Sequence, residues 1–440
     1  MRDGQPSLVW RMGICAATVG CLLSGWAQCP AHGQEPNAPF PSEEGQQVTL
    51  DDALQSAFER HPDLRAAYAF VQEARGGLVG AKAYPFNPNF LTFAGSRTGI
   101  GDGSVDVGLQ LSQQVEIAGQ RRRRMHTAEA VVEAESATWQ REARLLAARV
   151  HVTFINALEA RKLLEIANAD VELTEHLFEF ARKRLERGAA TQLEVNLAAT
   201  EFGRSRGRAQ LARGLLRAAN TELGQAMAVD PASPPTPKGD LEVPREPLPP
   251  LEDLVAGALR NRADLEAFRA FERSSEEGLR LARSEGAPDI TLRGYWKREG
   301  PEKIIGGGGN IAIPLFQRNQ GAIAQFKGTV GRTRAQRESA ELTVAQETAA
   351  TRARFEAAAS SARQLEEIVL GSLQQNLELL QKSLEAGKTT WAEVLIIRRS
   401  LIDARRELVN AQAEAGRAWI QLQLATAQLP VPKARQEASR

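Results

Sequence analysis

Cysteine is almost missing from this chain: Cys15, Cys21 and Cys29 are its only three, so no disulfide and no thiolate metal site can form beyond Cys29. Histidine is scarce too. His32, His61, His126, His151 and His176 include no pair three or four residues apart, which excludes a helix-borne histidine metal site. Net charge is also lacking, since 55 basic residues offset 54 acidic ones. That balance gives no global footprint for nucleic acid. After Ala27 no window reaches the roughly 18 apolar residues of a membrane helix, so any later membrane contact must use strands. No nucleophile and base fall together in a pocket-forming context, and no cofactor motif occurs. Gly306 to Gly309 lacks the Gly-Lys-Ser/Thr end of a phosphate loop and is expected to be a flexible hairpin loop at the cell exterior. The chain is expected not to be an enzyme and to need no cofactor or resident metal.

What is present begins with a secretory pattern. Arg2 and Arg11 precede an apolar stretch from Met12 to Ala27, and small residues follow, so residues 1–33 are read as a signal peptide cleaved after Ala27 or Gly33. The residues ahead of Cys21 and Cys29 match a lipoprotein box poorly, and lipidation at either is left open.

The chain is then written twice. Leu50, Ala57, Asp63, Leu64, Leu78 and Ala81 recur 201 positions later as Leu251, Ala258, Asp264, Leu265, Leu279 and Ala282. This divides it into a first repeat, 48–228, a linker, 229–249, whose stretch from Val229 to Pro250 holds eight prolines, a second repeat, 250–428, and a tail, 429–440. Each repeat opens with an amphipathic helix of roughly 36 residues. The first starts at a Thr49/Asp52 capping box and the second behind Pro249 and Pro250. The helices run to Pro88 and Pro288, where period-two alternation takes over. Val105, Val107, Leu109 and Leu111 mark one strand, Ile290 and Leu292 another, and Ile311, Ile313 and Leu315 a third, so each repeat carries a β-hairpin.

Long helices without proline follow, over 119–186 and 319–385, each about 100 Å at 1.5 Å per residue. Leu164, Ala167, Val171, Thr174, Phe178, Ala181 and Leu185 keep the three-four spacing of a coiled-coil seam, and Leu373, Leu377, Leu380 and Leu384 answer it. Both helices end in helix-turn-helix tips. Gly188 and Gly387 suit the left-handed position after a helix, and Thr191 with Glu194, and Thr390 with Glu393, form capping boxes that restart the chain. Return helices run over 191–228 and 390–428. A return helix and a pre-strand helix, about 55 Å each, stack to the length of one long helix.

Four strands leave two open edges, which lipid does not tolerate, so a barrel must be shared among subunits. Three chains give twelve strands and four give sixteen. The Arg121 to Arg124 run, at the strand-to-helix junction, is expected to be a solvated collar at the lipid headgroups.

These features resemble TolC-like outer-membrane efflux proteins, the outer-membrane factors, over residues 48–428. The motifs that carry the resemblance are Ala83 to Pro88, Gln113 to Arg121, Ile313 to Gly321 and the two tips, and Gly119-Gln120-Arg121 and Arg318-Asn319-Gln320-Gly321 lie nearest the heavy-metal cation-efflux branch. The fold class is mainly α with a small membrane β part: duplicated coiled-coil hairpins plus two β-hairpins per chain in a trimeric α/β barrel tube. The resemblance implies a homotrimer with a twelve-strand barrel in bacterial outer-membrane lipid, spanning into the periplasm. It also implies a periplasmic adaptor and an inner-membrane resistance-nodulation-division pump as partners in the passive export of heavy-metal cations or small toxic compounds, while the charge balance gives no expectation of nucleic acid as a partner. Arg187, Gly188, Thr191, Glu194, Gly387, Lys388, Thr390 and Glu393 are the expected adaptor-contacting tip residues. The first tip lacks the bulkier residues common in the family. Glu378 and Glu385 would repeat as charge rings in a trimer, or else form a solvated helix face. The alternative is a periplasmic adaptor or coiled-coil scaffold without a barrel, against which the duplication and the sparse β-structure argue.

Overall fold

A computed structural model describes residues 46–96, 105–245, 247–385 and 391–430, with most side chains of 368–392 outside the description. After the short strand β1 (Gln47–Val48), the first half runs α1 (Leu50–Arg60), α2 (Pro62–Lys82), β2 (Asn89–Ser96), β3 (Val105–Val115), α3 (Gln120–Glu186) and α4 (Gln192–Ala226). The short β4 (Thr236–Pro237) follows. The second half repeats the order as α5 (Leu251–Asn261), α6 (Ala263–Ser284), β5 (Ile290–Glu299), β6 (Glu302–Ile311), α7 (Gln320–Glu385) and α8 (Trp391–Ala425). No helix among the described residues is long and apolar enough to cross a membrane.

The pre-strand helix is not continuous, contrary to the expectation from sequence. His61 precedes Pro62 and takes extended backbone (φ −65°, ψ 124°), because the proline ring crowds a helical predecessor. Its Nδ1 then accepts from the Asp63 amide and caps α2. Arg262 makes the same break in the second half without a proline. It is held by two bonds to Asp264 and one to Glu347. Each kinked pair also stops before its proline, at Lys82 and at Ser284.

The four long strands form one antiparallel sheet in the order β2-β3-β5-β6. Two strand expectations change. Gly306 to Gly309 is no loop: it lies inside β6, opposite Leu292 to Tyr295. A Cβ at Gly306 would come within 2.5 Å of the Tyr295 ring, so the missing side chain is what lets that ring lie across the sheet. The hairpin turns instead at Gly300-Pro301, with Gly300 at φ 59°. Ile313 and Leu315 fall beyond β6, which ends at Ile311.

The main core lies where α1, α3, α4 and α8 meet. Ala53, Ala57, Ala147, Ala157 and Ala226 let the helices approach closely, and Leu64, Val150, Phe154, Leu223 and Ile420 fill the space between them. Leu429, assigned above to the tail, is buried in this core. The proline-rich connection is fastened: β4 pairs in parallel with β1, and Lys162 meets Asp240 at 2.9 Å. Arg161 of α3 also donates to the carbonyls of Pro237 and Gly239. Along the seam Thr174 and Ala181 are buried, and Leu164, Ala167, Val171, Phe178 and Leu185 are half-buried. The side chains of Leu373, Leu377, Leu380 and Leu384 lie outside the described residues, as do residues 1–33 with Cys21 and Cys29.

Candidate channel elements: sheet, junction and hairpin tip

The sheet has two chemically distinct faces. Cross-strand partners share a face, so Phe90, Leu109, Leu111, Leu292, Trp296 and Ile305 line one side. Phe90, Leu111, Leu292 and Ile305 are exposed, Ile305 at 83%. Asp106, Gln110, Ser112, Gln114, Arg293 and Lys297 line the other, with Phe93 lying over Gly108 and Tyr295 over Gly306. Among the described residues the outer strands β2 and β6 each keep one unpaired edge.

The junction between sheet and helices explains the motif residues. Asp289, just ahead of β5, accepts from Gln114 (2.8 Å) and Gln120 (3.0 Å), which ties the second half to the first. The Tyr84 hydroxyl donates to the Gln114 carbonyl and accepts from the Glu116 amide. Three of the four arginines are partnered, so the run is a solvated collar only in part: Arg121 donates to the Lys82 carbonyl at the end of α2, Arg123 meets Glu277, and Arg124 grips both oxygens of Glu116. Only Arg122 and Arg121 of the four are exposed. These contacts account for three of the four cations at a helix N-terminus, where the helix dipole disfavours them, because carbonyl and carboxylate partners offset that cost.

The second half builds the same junction with another residue type. Gly119 (φ 76°) and Asn319 (φ 58°) hold the equivalent left-handed positions. The Asn319 side-chain amide donates to the Ala282 carbonyl near the end of α6, much as Arg121 donates to the Lys82 carbonyl at the end of α2. Gln120 and Gln320 accept from the amides of Ala118 and Arg318.

At the first tip Gly188 has φ 71°, and the Gly188 and Ala189 amides donate to the Leu185 and Arg184 carbonyls, which closes the end of α3. The Thr191 hydroxyl accepts from the Glu194 amide at 3.3 Å. The expected capping box is only half made. No return bond from Glu194 forms among the described residues, because its Oε2 is buried against the helices without a partner. Arg187, Gly188 and Thr191 are exposed. Glu393 is exposed in the first turn of α8, whereas Gly387, Lys388 and Thr390 and the side chains of Glu378 and Glu385 lie outside the described residues.

Sequence reasoning missed a buried charge cluster near this end. Arg398 of α8 donates to Asp170 of α3 (2.7 Å) and to Glu201 of α4, and Arg208 approaches Asp170 at 3.4 Å. Asp170 sits one residue off the apolar seam, which was its only signal. His61 and His151 serve structural roles, as a cap and as a donor to the Ala147 carbonyl. No group of three potential metal ligands occurs among the described residues.

Residues 53–229 and 254–428 match the family described as outer membrane efflux protein, so both halves of the chain, and well over half of its length, are covered. The chain belongs to this family. As an outer membrane efflux protein it is the outer-membrane channel component of a tripartite efflux system, with the sheet in the membrane and the helices extending into the periplasm. It is 24% identical over 373 residues to the cobalt-zinc-cadmium resistance protein CzcC of Cupriavidus metallidurans, covering 83% of this chain and 87% of that protein. Its fold matches the outer membrane protein VceC of Vibrio cholerae (TM-score 0.69, 18% identity, 86% of this chain and 95% of the other). It also matches CusC, whose structures are described in terms of transmembrane channel formation (TM-score 0.72, 19% identity, 86% and 91%).

Proposed function

We propose that three copies of this outer membrane efflux protein close their sheets into one twelve-strand barrel and their helices into one tube, forming a passive, non-catalytic duct for heavy-metal cations. The observation that carries the closure is the sheet itself: an exposed apolar face bounded by edges of β2 and β6 that no other described strand pairs. Lipid tolerates such strands only when both edges are paired. Support for metal cations comes from the likeness to CzcC. A periplasmic adaptor meets the tips at Arg187, Gly188, Thr191, Glu194, Gly387, Lys388, Thr390 and Glu393, and links the duct to an inner-membrane resistance-nodulation-division pump that supplies energy. In a trimer Glu378 and Glu385, borne on α7, repeat threefold and favour cations in the pore.

The test is detergent extraction, mass determination of the particle, and cellular zinc, cobalt and cadmium content with and without the chain beside its adaptor and pump. A three-protomer particle and lower metal content are expected. A monomer released without detergent would overturn the duct in favour of a periplasmic scaffold, and a trimer without effect on metal content would overturn the substrate class.

A further inference from the structure

The distal end of the β5–β6 hairpin sorts its charges by face. Lys297, on the polar face, is matched: it meets Glu299 at 2.6 Å, and Asp106 on the same side accepts from the Gly300 amide. Arg298 and Lys303, on the apolar face, are direct cross-strand partners, and both are exposed. Arg298 spends one donor on the Gly300 carbonyl. Among the described residues neither cation forms an ion pair with a carboxylate. Like charges placed opposite each other destabilise a strand pair, so an isolated sheet gains nothing from this arrangement.

Depth supplies the second observation. One cross-strand step below the cations, on the same face, lie Trp296 and Ile305, and Leu109 of β3 lies beside Trp296. Two residues along a strand span about 7 Å. An indole at the edge of an apolar band marks the membrane-water interface, which puts the two cations at headgroup depth. The turn is at the end of the sheet away from the long helices, hence in the outer leaflet.

We infer that Arg298 and Lys303 together bind the phosphate of an anionic outer-leaflet lipid, lipid A being the bilayer component of that chemistry, and so pin the barrel at a set depth. The inference rests on the barrel reading above. The guanidinium offers a fork to two phosphate oxygens and the ammonium a point charge beside it. One phosphate between them turns the like-charge pair into a bridge.

The experiment uses the full assembled protein in phosphatidylcholine vesicles doped with bisphosphorylated lipid A or with its dephosphorylated form, and reads retained lipid by native mass spectrometry. Wild type should retain the bisphosphorylated form. Arg298→Gln or Lys303→Gln should each weaken retention about five-fold and the double replacement roughly 25-fold, since each basic residue near an anionic surface contributes a comparable factor. Lys297→Gln, on the other face, should leave retention unchanged. Equal retention of the dephosphorylated lipid, or displacement of lipid A by inorganic phosphate at matched concentration, would overturn the inference. Failure to insert into either vesicle would remove the barrel reading and this inference with it, whereas insertion with equal retention by the double variant overturns this inference alone.

Discussion

Arg398 on α8 donates to Asp170 on α3 across 2.7 Å, and both side chains are almost wholly withdrawn from solvent. The second hairpin is thereby fastened to the first by charge, close to the end that carries the tips. Glu201 takes the other arm of the guanidinium and Arg208 balances Asp170 from α4. Removing one member leaves buried charge uncompensated, which costs far more than the intact cluster contributes.

Arg398→Met is therefore expected to destabilise the assembled protein by roughly 3–5 kcal/mol in urea unfolding. Adding Asp170→Leu and Glu201→Gln to it should restore most of that loss. An unaltered unfolding midpoint in Arg398→Met would mean that water already solvates the cluster.

In the sheet, a Cβ at Gly108 would clash with the far edge of the Phe93 ring, and one at Gly306 with the hydroxyl end of Tyr295 at 2.5 Å. Gly306→Val should reduce the yield of heat-resistant trimer several-fold, as over-packing costs about 1–3 kcal/mol. Tyr295→Ala in the same chain should recover it. The strand location of the glycine run would be wrong if Gly306→Val assembled normally, as a loop residue would.

The first tip separates turn geometry from surface chemistry. Gly188 holds φ 71°, so Gly188→Val strains the turn, and Thr191→Ala removes the cap bond to Glu194 at about 1 kcal/mol. Both variants should still form trimers, because the tip is far from the sheet. Both should lower metal export in cells if this turn meets an adaptor. Arg187→Glu, which leaves the turn intact, should lower binding of purified adaptor in a salt-dependent way. Undiminished export by all three would place the docking surface elsewhere.

Acid should weaken the fold in two steps. Burial holds the His151 imidazole below its ordinary value of 6.5, partly offset by its bond to the Ala147 carbonyl. The folded chain keeps this ring neutral while the unfolded chain takes up a proton, so its contribution falls as pH drops below that value. Asp264 and Glu272 act lower down. Burial alone would raise them, but hydrogen bonds from Arg262 to Asp264, and from Arg337 and Arg334 to Glu272, outweigh burial and hold both below 3.8 and 4.5. Their stabilisation is full above those unfolded values and is lost as pH falls through the folded ones. Thermal midpoints measured from about pH 7.5 to about pH 3 should show both steps, and His151→Gln should remove only the first. A single step at low pH in the parent chain would exclude the histidine.

Element order was legible because local chemistry decided it. The capping box at Thr49 forms as read, with Asp52 returning the bond to the Thr49 amide. The long helices begin and end within a residue of the expected limits, since a proline-free periodic run has no competing conformation. The kinks at His61 and Arg262 were legible only in part. Pro62 marks the first, but Ala263 gives no such sign, and a contact with Glu347 on another helix fixes the second.

The glycine run, the arginine run and the Arg398 cluster were misread or missed for one common reason: each depends on residues far away in sequence. Gly306 reads as a loop until Tyr295 lies across it. Arg121, Arg123 and Arg124 read as solvated until Lys82, Glu277 and Glu116 come alongside. The chain by itself determined periodicity, caps, duplication and hence the family, because those signals lie within one turn of helix or one strand. Which charges are buried, in what order the strands pair, and how one half fastens to the other were decided only by tertiary packing, because burial and pairing belong to neighbours that sequence order does not place side by side.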